Sequence, residues 1–174
     1  MNFFNKLIAL SLPIIPKPIV RRVSSRYIAG DTLADAVRIS RVLNSEGAMI
    51  TVDVLGEYIT SLSQAEENTQ YCCDVLRAIE TEKIDANLSV KLTSLGLALD
   101  RKECEKNLRA ILETACDHGN IFVHFDMENS PYTSSTIELY ERFRKEFNIG
   151  VVLQAYMRRT KSDLEKLINS GKTN

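Results

Sequence analysis

The sequence has 174 residues, 44% hydrophobic and 26% charged, the balance of an ordinary soluble globular protein with one domain's worth of core. A formal net charge of −1 excludes the basic footprint of a nucleic-acid-binding protein. Its four cysteines offer neither metal-ligand spacing nor a disulfide framework: Cys72 and Cys73 are adjacent, Cys104 and Cys116 fall in helical patterns, and all four are expected to be reduced core or near-core residues in a cytosolic setting.

The amino terminus reads as a helical arm over residues 1–30. Leu7 to Ile15 is mostly apolar and follows Lys6, a faint resemblance to a signal peptide, but Pro13, Pro16 and Pro18 interrupt it and no small-residue cleavage site follows. It also falls short of the roughly 20 residues that a bilayer span needs. The arm is expected to pack on the domain; the alternative is a peripheral membrane contact helped by Arg21, Arg22 and Arg26.

Asp31 is placed to cap a helix running to about Asn44, with Leu33, Ala36, Val37 and Ser40 facing inward and Glu46-Gly47 ending it. A strand follows from Ala48 to Val54, with Ile50, Val52 and Val54 on one face and Thr51 and Asp53 on the other. Ser63-Gln64-Ala65-Glu66 has capping-box spacing, and Ala65, Thr69, Cys72, Leu76 and Ile79 repeat at helical intervals, so the next helix is predicted from Ser63 to Glu80. The second strand, Asn87 to Leu92, sets Leu88, Val90 and Leu92 against Asn87, Ser89 and Lys91.

Asp100 and Glu103 box the following helix, whose stripe is Cys104, Leu108, Ile111, Leu112 and Ala115, with His118-Gly119 closing it. The third strand, Ile121 to Met127, points Phe122, His124 and Asp126 one way and Val123, Phe125 and Met127 the other. Ser130-Pro131 breaks it, and Thr133 can cap a helix carrying Ile137, Tyr140, Phe143 and Phe147. The last pair is a strand from Ile149 to Ala155, with Val152 and Gln154 on its polar side. A helix boxed by Thr160 and Asp163 follows, with Leu164, Leu167 and Ile168 as its stripe.

Strands alternating with helices about 30 to 38 residues apart argue for repeated βα units and a parallel sheet. In each strand one face is aliphatic, and the other ends in a polar residue at the carboxyl end: Asp53, Lys91, Asp126 and Gln154. Active sites of (β/α)8 barrels are built at that end. An open doubly wound sheet would bind ligands there too, but would carry aliphatic residues on both faces. The fold class expected is therefore α/β, a partial (β/α)8 TIM-like barrel of about four parallel strands over residues 31–174.

Four stretches in this order carry a resemblance: Thr51-Val52-Asp53-Val54-Leu55-Gly56-Glu57; Ser89-Val90-Lys91-Leu92-Thr93-Ser94-Leu95-Gly96-Leu97; Phe125-Asp126-Met127-Glu128-Asn129-Ser130-Pro131-Tyr132-Thr133; and Gly150-Val151-Val152-Leu153-Gln154-Ala155-Tyr156-Met157-Arg158-Arg159-Thr160. Together they resemble the flavin-dependent proline dehydrogenases. The resemblance implies oxidation of L-proline to 1-pyrroline-5-carboxylate with FAD as cofactor and a quinone as electron acceptor, in the cytoplasm or at the periphery of the inner membrane. It implies Asp126 as the catalytic aspartate, Lys91 as a substrate contact, Met127 as a backbone contact to FAD and Gln154 as a side chain near the flavin ring. No metal is expected.

A full barrel takes about 250 residues, and only its first four strands are legible here. Asn169 to Asn174 reads as the loop entering a fifth strand, so the chain is expected to be an incomplete form or one completed by a partner. The bland reading of Lys91 and Asp126 is an interior salt bridge without chemistry. Asp53 is expected to be a hydrogen-bond anchor, His124 a packed polar interior residue rather than a base, and Arg158-Arg159 surface residues. Two further readings stay open: a Schiff-base lyase or aldolase using Lys91, and an inactive fragment or interaction protein.

Overall fold

The computed structural model describes residues 28–30, 32–56 and 59–171. The expected arm thus lies almost wholly outside the described residues, as does Asp31. The chain divides into two compact units, residues 1–39 and 40–174. Thr32 opens helix α1 (Leu33–Ser45), whose residues fall in both units: its hydroxyl accepts from the Asp35 amide at 3.2 Å and donates to the Asp35 carboxylate at 2.8 Å. Of the four residues expected to face inward along α1, Ser40 is buried and Leu33 is exposed.

The second unit is a four-stranded parallel sheet in which β1 (Ile50–Asp53), β2 (Ala86–Val90), β3 (Val123–Phe125) and β4 (Ile149–Val151) lie side by side in sequence order. Helices α2 (Leu62–Thr81), α3 (Arg101–Asp117) and α4 (Thr133–Phe143) alternate with them, and α5 (Thr160–Asn169) follows β4. This is the topology of the first half of a (β/α)8 barrel. Alternation sends Leu88, Val90, Val123, Phe125 and Ile149 to the helix side, each with 2% exposure or less. They meet the expected stripes of α2 and α3, every member of which is buried. Burial of this apolar surface is the main stabilising contribution.

The opposite face is a register of chemistry. Asp53 pairs with Ser89, Ser89 with His124 and His124 with Gly150, so these four stand in one row across the sheet. A Cβ at Gly150 would lie 2.5 Å from the tip of the Phe122 ring, so a larger residue there would force that ring to shift. Lys91 and Asp126 follow two residues beyond Ser89 and His124 and therefore form the next row.

Several boundaries differ from expectation. Every strand is shorter, because ladder hydrogen bonds end where the chain turns into its loops. The capping box of α2 is Ser61 with Gln64: the Gln64 amide donates to Ser61 Oγ at 3.4 Å and the Ser61 amide to Gln64 Oε1 at 3.2 Å. Ser63 lies inside the helix. Asp100 caps α3 by accepting from Lys102 and Glu103 amides, but Glu103 pairs with Lys106 instead of reaching back. Thr133 is the buried first residue of α4, and its hydroxyl contacts Met157 Sδ at 3.7 Å. Asp163 boxes nothing: it is buried and held by Arg159 at 2.6 Å, so Arg159 anchors α5. Of the stripe expected for α5, Leu167 is buried, while Leu164 and Ile168 are exposed. Cys116 is exposed; Cys72, Cys73 and Cys104 are buried and free. Among the described residues no helix is long and apolar enough to cross a membrane.

The cap assignment is directly testable. Ser61→Ala is expected to lower unfolding free energy by about 1 kcal/mol, whereas Ser63→Ala should stay within about 0.5 kcal/mol of the parent, both measured by urea unfolding followed by circular dichroism.

Candidate functional site

Three strand ends converge on one ammonium. Lys91 leaves β2 directly into a one-turn 3-10 helix, Leu92–Leu95, and its Nζ donates to Asp53 Oδ2 at 2.6 Å while lying 3.3 Å from Asp126 Oδ2. The Lys91 side chain is only 15% exposed. Burial acts to lower its pKa, but the hydrogen bonds and charges of Asp53, and then of Asp126, outweigh burial and raise it. Lys91 is thus held cationic at neutral pH. One oxygen of Asp53, Oδ1, is buried without a hydrogen-bond partner among the described residues.

His124 lies one row deeper. Burial pushes its pKa below the ordinary histidine value against the opposing pull of Asp126 and Asp53, with Lys91 adding to the depression. It is a neutral, partly buried imidazole tilted against the Phe122 ring, in keeping with a packed interior role.

A cleft of about 630 Å³ opens above the ion cluster, lined among others by Lys91, Thr93, Met127, Glu128, Tyr132 and Gln154. Lys91, Met127 and Gln154 are therefore brought together. Asp126 does not line the cleft; its carboxylate engages Lys91 and accepts from the Met127 amide at 3.1 Å. The Met127 N–H is thereby occupied. Gln154 is fixed through its backbone, its carbonyl accepting from the Met157 amide at 3.1 Å and the Thr160 hydroxyl at 2.5 Å. Its side chain is left to face the cleft.

Asp53, expected as a hydrogen-bond anchor, makes a shorter carboxylate contact to Lys91 than Asp126 does, and sequence reasoning missed Glu128. Glu128 accepts from the Thr93 amide at 2.9 Å and from the Thr93 hydroxyl. Period-two alternation continued past Asp126 was the available signal. Asn68 and Asn107, buried on α2 and α3, donate to the Ser94 and Leu95 carbonyls at 3.0 and 3.1 Å and hold the 3-10 turn from the helix side. Among the described residues no group of three or more His, Cys, Asp or Glu side chains could hold a metal ion.

A family model described as proline dehydrogenase matches residues 36–174. Proline dehydrogenase 1 of Bacillus subtilis subsp. natto is 37% identical over 143 residues, covering 82% of this chain and 47% of that protein. The proline dehydrogenase of Deinococcus radiodurans is 29% identical over 154 residues, covering 83% and 48%. The chain thus spans about half the length of the curated relatives it matches. The structure of Proline Utilization A (PutA) from Corynebacterium freiburgense is similar with a TM-score of 0.73 at 22% identity, over 87% of this chain and 17% of that one, which bears on the fold.

The ion cluster makes a pH prediction. Because the folded-state pKa of Lys91 is raised above its unfolded value, its stabilising contribution is fully present below the ordinary lysine pKa of about 10.4 and is lost as pH rises through the higher folded value. The melting-temperature gap between the parent and Lys91→Met should therefore be constant from about pH 8 to about pH 10 and shrink above that, followed by thermal unfolding in a pH series.

Proposed function

The chain belongs to the proline dehydrogenase family, and on that premise we propose that its strand-end cleft serves the oxidation of L-proline to 1-pyrroline-5-carboxylate in proline catabolism, with FAD as cofactor and a quinone as the final electron acceptor. The observation that carries this reading is the cationic Lys91, held by Asp53 and Asp126 at the floor of a cleft that Met127 and Gln154 also line. Since the chain spans about half the length of these relatives, the activity is assigned to an assembled barrel to which these residues contribute four strands.

The donor set suits both guests. Proline brings a carboxylate, which needs a fixed cation, and Lys91 supplies one. The ring nitrogen of proline gives up a proton as the carbon–nitrogen double bond forms, and we assign its acceptance to Asp126, whose carboxylate pairs with the same ammonium. Gln154 offers a neutral amide that can hydrogen-bond a flavin edge without adding charge, and Met127 offers its carbonyl, its N–H being already used. FAD, when bound, accepts the hydride from the ring carbon beside nitrogen. Neutral His124 beneath the cluster adds no competing positive charge.

The same electrostatics weigh against a Schiff-base lyase. Imine formation needs a neutral lysine, favoured by a lowered pKa, whereas Asp53 and Asp126 hold Lys91 protonated.

The test is the visible spectrum of the assembled barrel containing these strands, purified with FAD, before and after anaerobic addition of L-proline. Bound flavin that bleaches with proline supports the reading. Absence of bound flavin together with borohydride trapping of a carbonyl substrate on Lys91 would replace it with the lyase, and neither signal would leave an interaction role. In a proline-active assembly, Lys91→Ala and Asp126→Ala are each expected to lower turnover on the order of 10²-fold with the fold intact; a parental rate would remove that residue from the mechanism.

A further inference from the structure

The 3-10 turn after β2 has an unusual start. Its N-cap residue is Lys91, which makes no side-chain cap hydrogen bond, since an ammonium has no acceptor to offer a backbone N–H. The first N–H groups of such a turn need an acceptor from elsewhere. That acceptor is Glu128 of the loop after β3, which takes both the amide and the hydroxyl of Thr93. Ser94 in turn binds the Lys91 carbonyl twice, from its amide at 3.0 Å and its hydroxyl at 2.7 Å. Lys91, Thr93 and Ser94 are thereby linked through one hydrogen-bonded turn.

Glu128 also stands two residues after Asp126. Its grip closes a ring of contacts that runs from the Lys91 ammonium to Asp126, along the backbone to Glu128, across to Thr93 and back to Lys91. The two loops that carry opposite members of the ion pair are thus tied together at a second point. We infer that Glu128 is a positioning residue, whose grip on Thr93 sets the reach of Lys91 into the cleft and keeps its ammonium on Asp126. Its consequence for proline binding rests on the function proposed above; the grip on Lys91 does not.

The inference can be tested without cofactor by competitive acetic-anhydride labelling of the purified chain at fixed pH, with Lys91 modification read by mass spectrometry. Only neutral amine is acylated, so a lysine loosened from its carboxylate labels faster. Glu128→Ala is expected to raise Lys91 labelling about tenfold, the change in neutral fraction made by one pKa unit. Glu128→Gln, which keeps an acceptor of the same length, should label near the parental rate. Parental labelling in Glu128→Ala, or labelling in Glu128→Gln as fast as in Glu128→Ala, would overturn the inference: the first makes Glu128 a loop staple, the second a remote charge.

If Glu128→Ala does not fold, Glu128→Ser, too short to reach Thr93, removes both bonds while keeping a polar side chain, and Lys91 labelling unchanged in that variant would be equally fatal. In the flavin-loaded assembly the loosened variant should raise KM for proline more than it lowers kcat. Should the parent show no proline-dependent flavin reduction, the proposed function falls, while the labelling comparison still decides the role of Glu128.

Discussion

The Lys91 ammonium sits where three parallel strands end, and the surrounding structure is arranged to keep it there. Asp53, Lys91 and Asp126 come from three different strand ends, separated by long stretches of sequence, and meet within hydrogen-bond distances. Only a parallel sheet with this register achieves that: one residue of slip would turn each of these side chains to the helix face. Such a cluster is costly to desolvate, and an apolar interior would stabilise the sheet at least as well. Its placement at the carboxyl ends, beneath a cleft, is what gives it a chemical reading instead of a structural one.

Outside the sheet, the helices do more than cover it. Asn68, Asn107 and Cys104 each donate to a carbonyl of the turn that Lys91 opens, from α2 and α3. The Cys104 thiol, pushed up to about 12 by burial, is inert as a nucleophile at neutral pH and acts as a weak donor to Leu92. Asn68 also leans on the loop after β1, where a Cβ on Gly56 would come within 2.8 Å of its amide. The buried polar groups of the helix layer are thus spent on the loops that carry the site, as buried donors without partners would be costly. By contrast the surface ion pairs of α3 with α4, Arg101 with Glu138 and Arg142 with Glu105, and of α3 with the segment after α4, Arg109 with Glu146, lie near solvent and add little to stability.

Much of the architecture was legible because period is a local property. Leu88 and Val90, or Leu108 and Ile111, declare their burial through spacing alone, and the four ordered motifs made the strand ends recognisable. Helix starts were read less well. A capping box is a pattern of two polar residues, and Ser61 and Ser63 both satisfy half of it; which one caps depends on where the loop from β1 delivers the chain. Asp163 looked like half of a box and is instead neutralised by Arg159, a choice made by burial. Glu128 was passed over because its partner, Thr93, is distant in sequence and bonds through its backbone as well as its side chain.

By itself, then, the sequence determined the alternation of strands and helices, the apolar face of each strand, the polar residues Asp53, Lys91, Asp126 and Gln154 at their carboxyl ends, and the family to which those motifs belong. These follow from side-chain periodicity and residue chemistry, which act over a few residues. Only the tertiary structure decided that Asp53 is the nearer partner of Lys91, that Asp126 stands beside the cleft and not in its lining, and that Glu128 ties two loops together. Those are distances between segments far apart in the chain, set by sheet register and by the packing of helices behind it, and no local pattern encodes them.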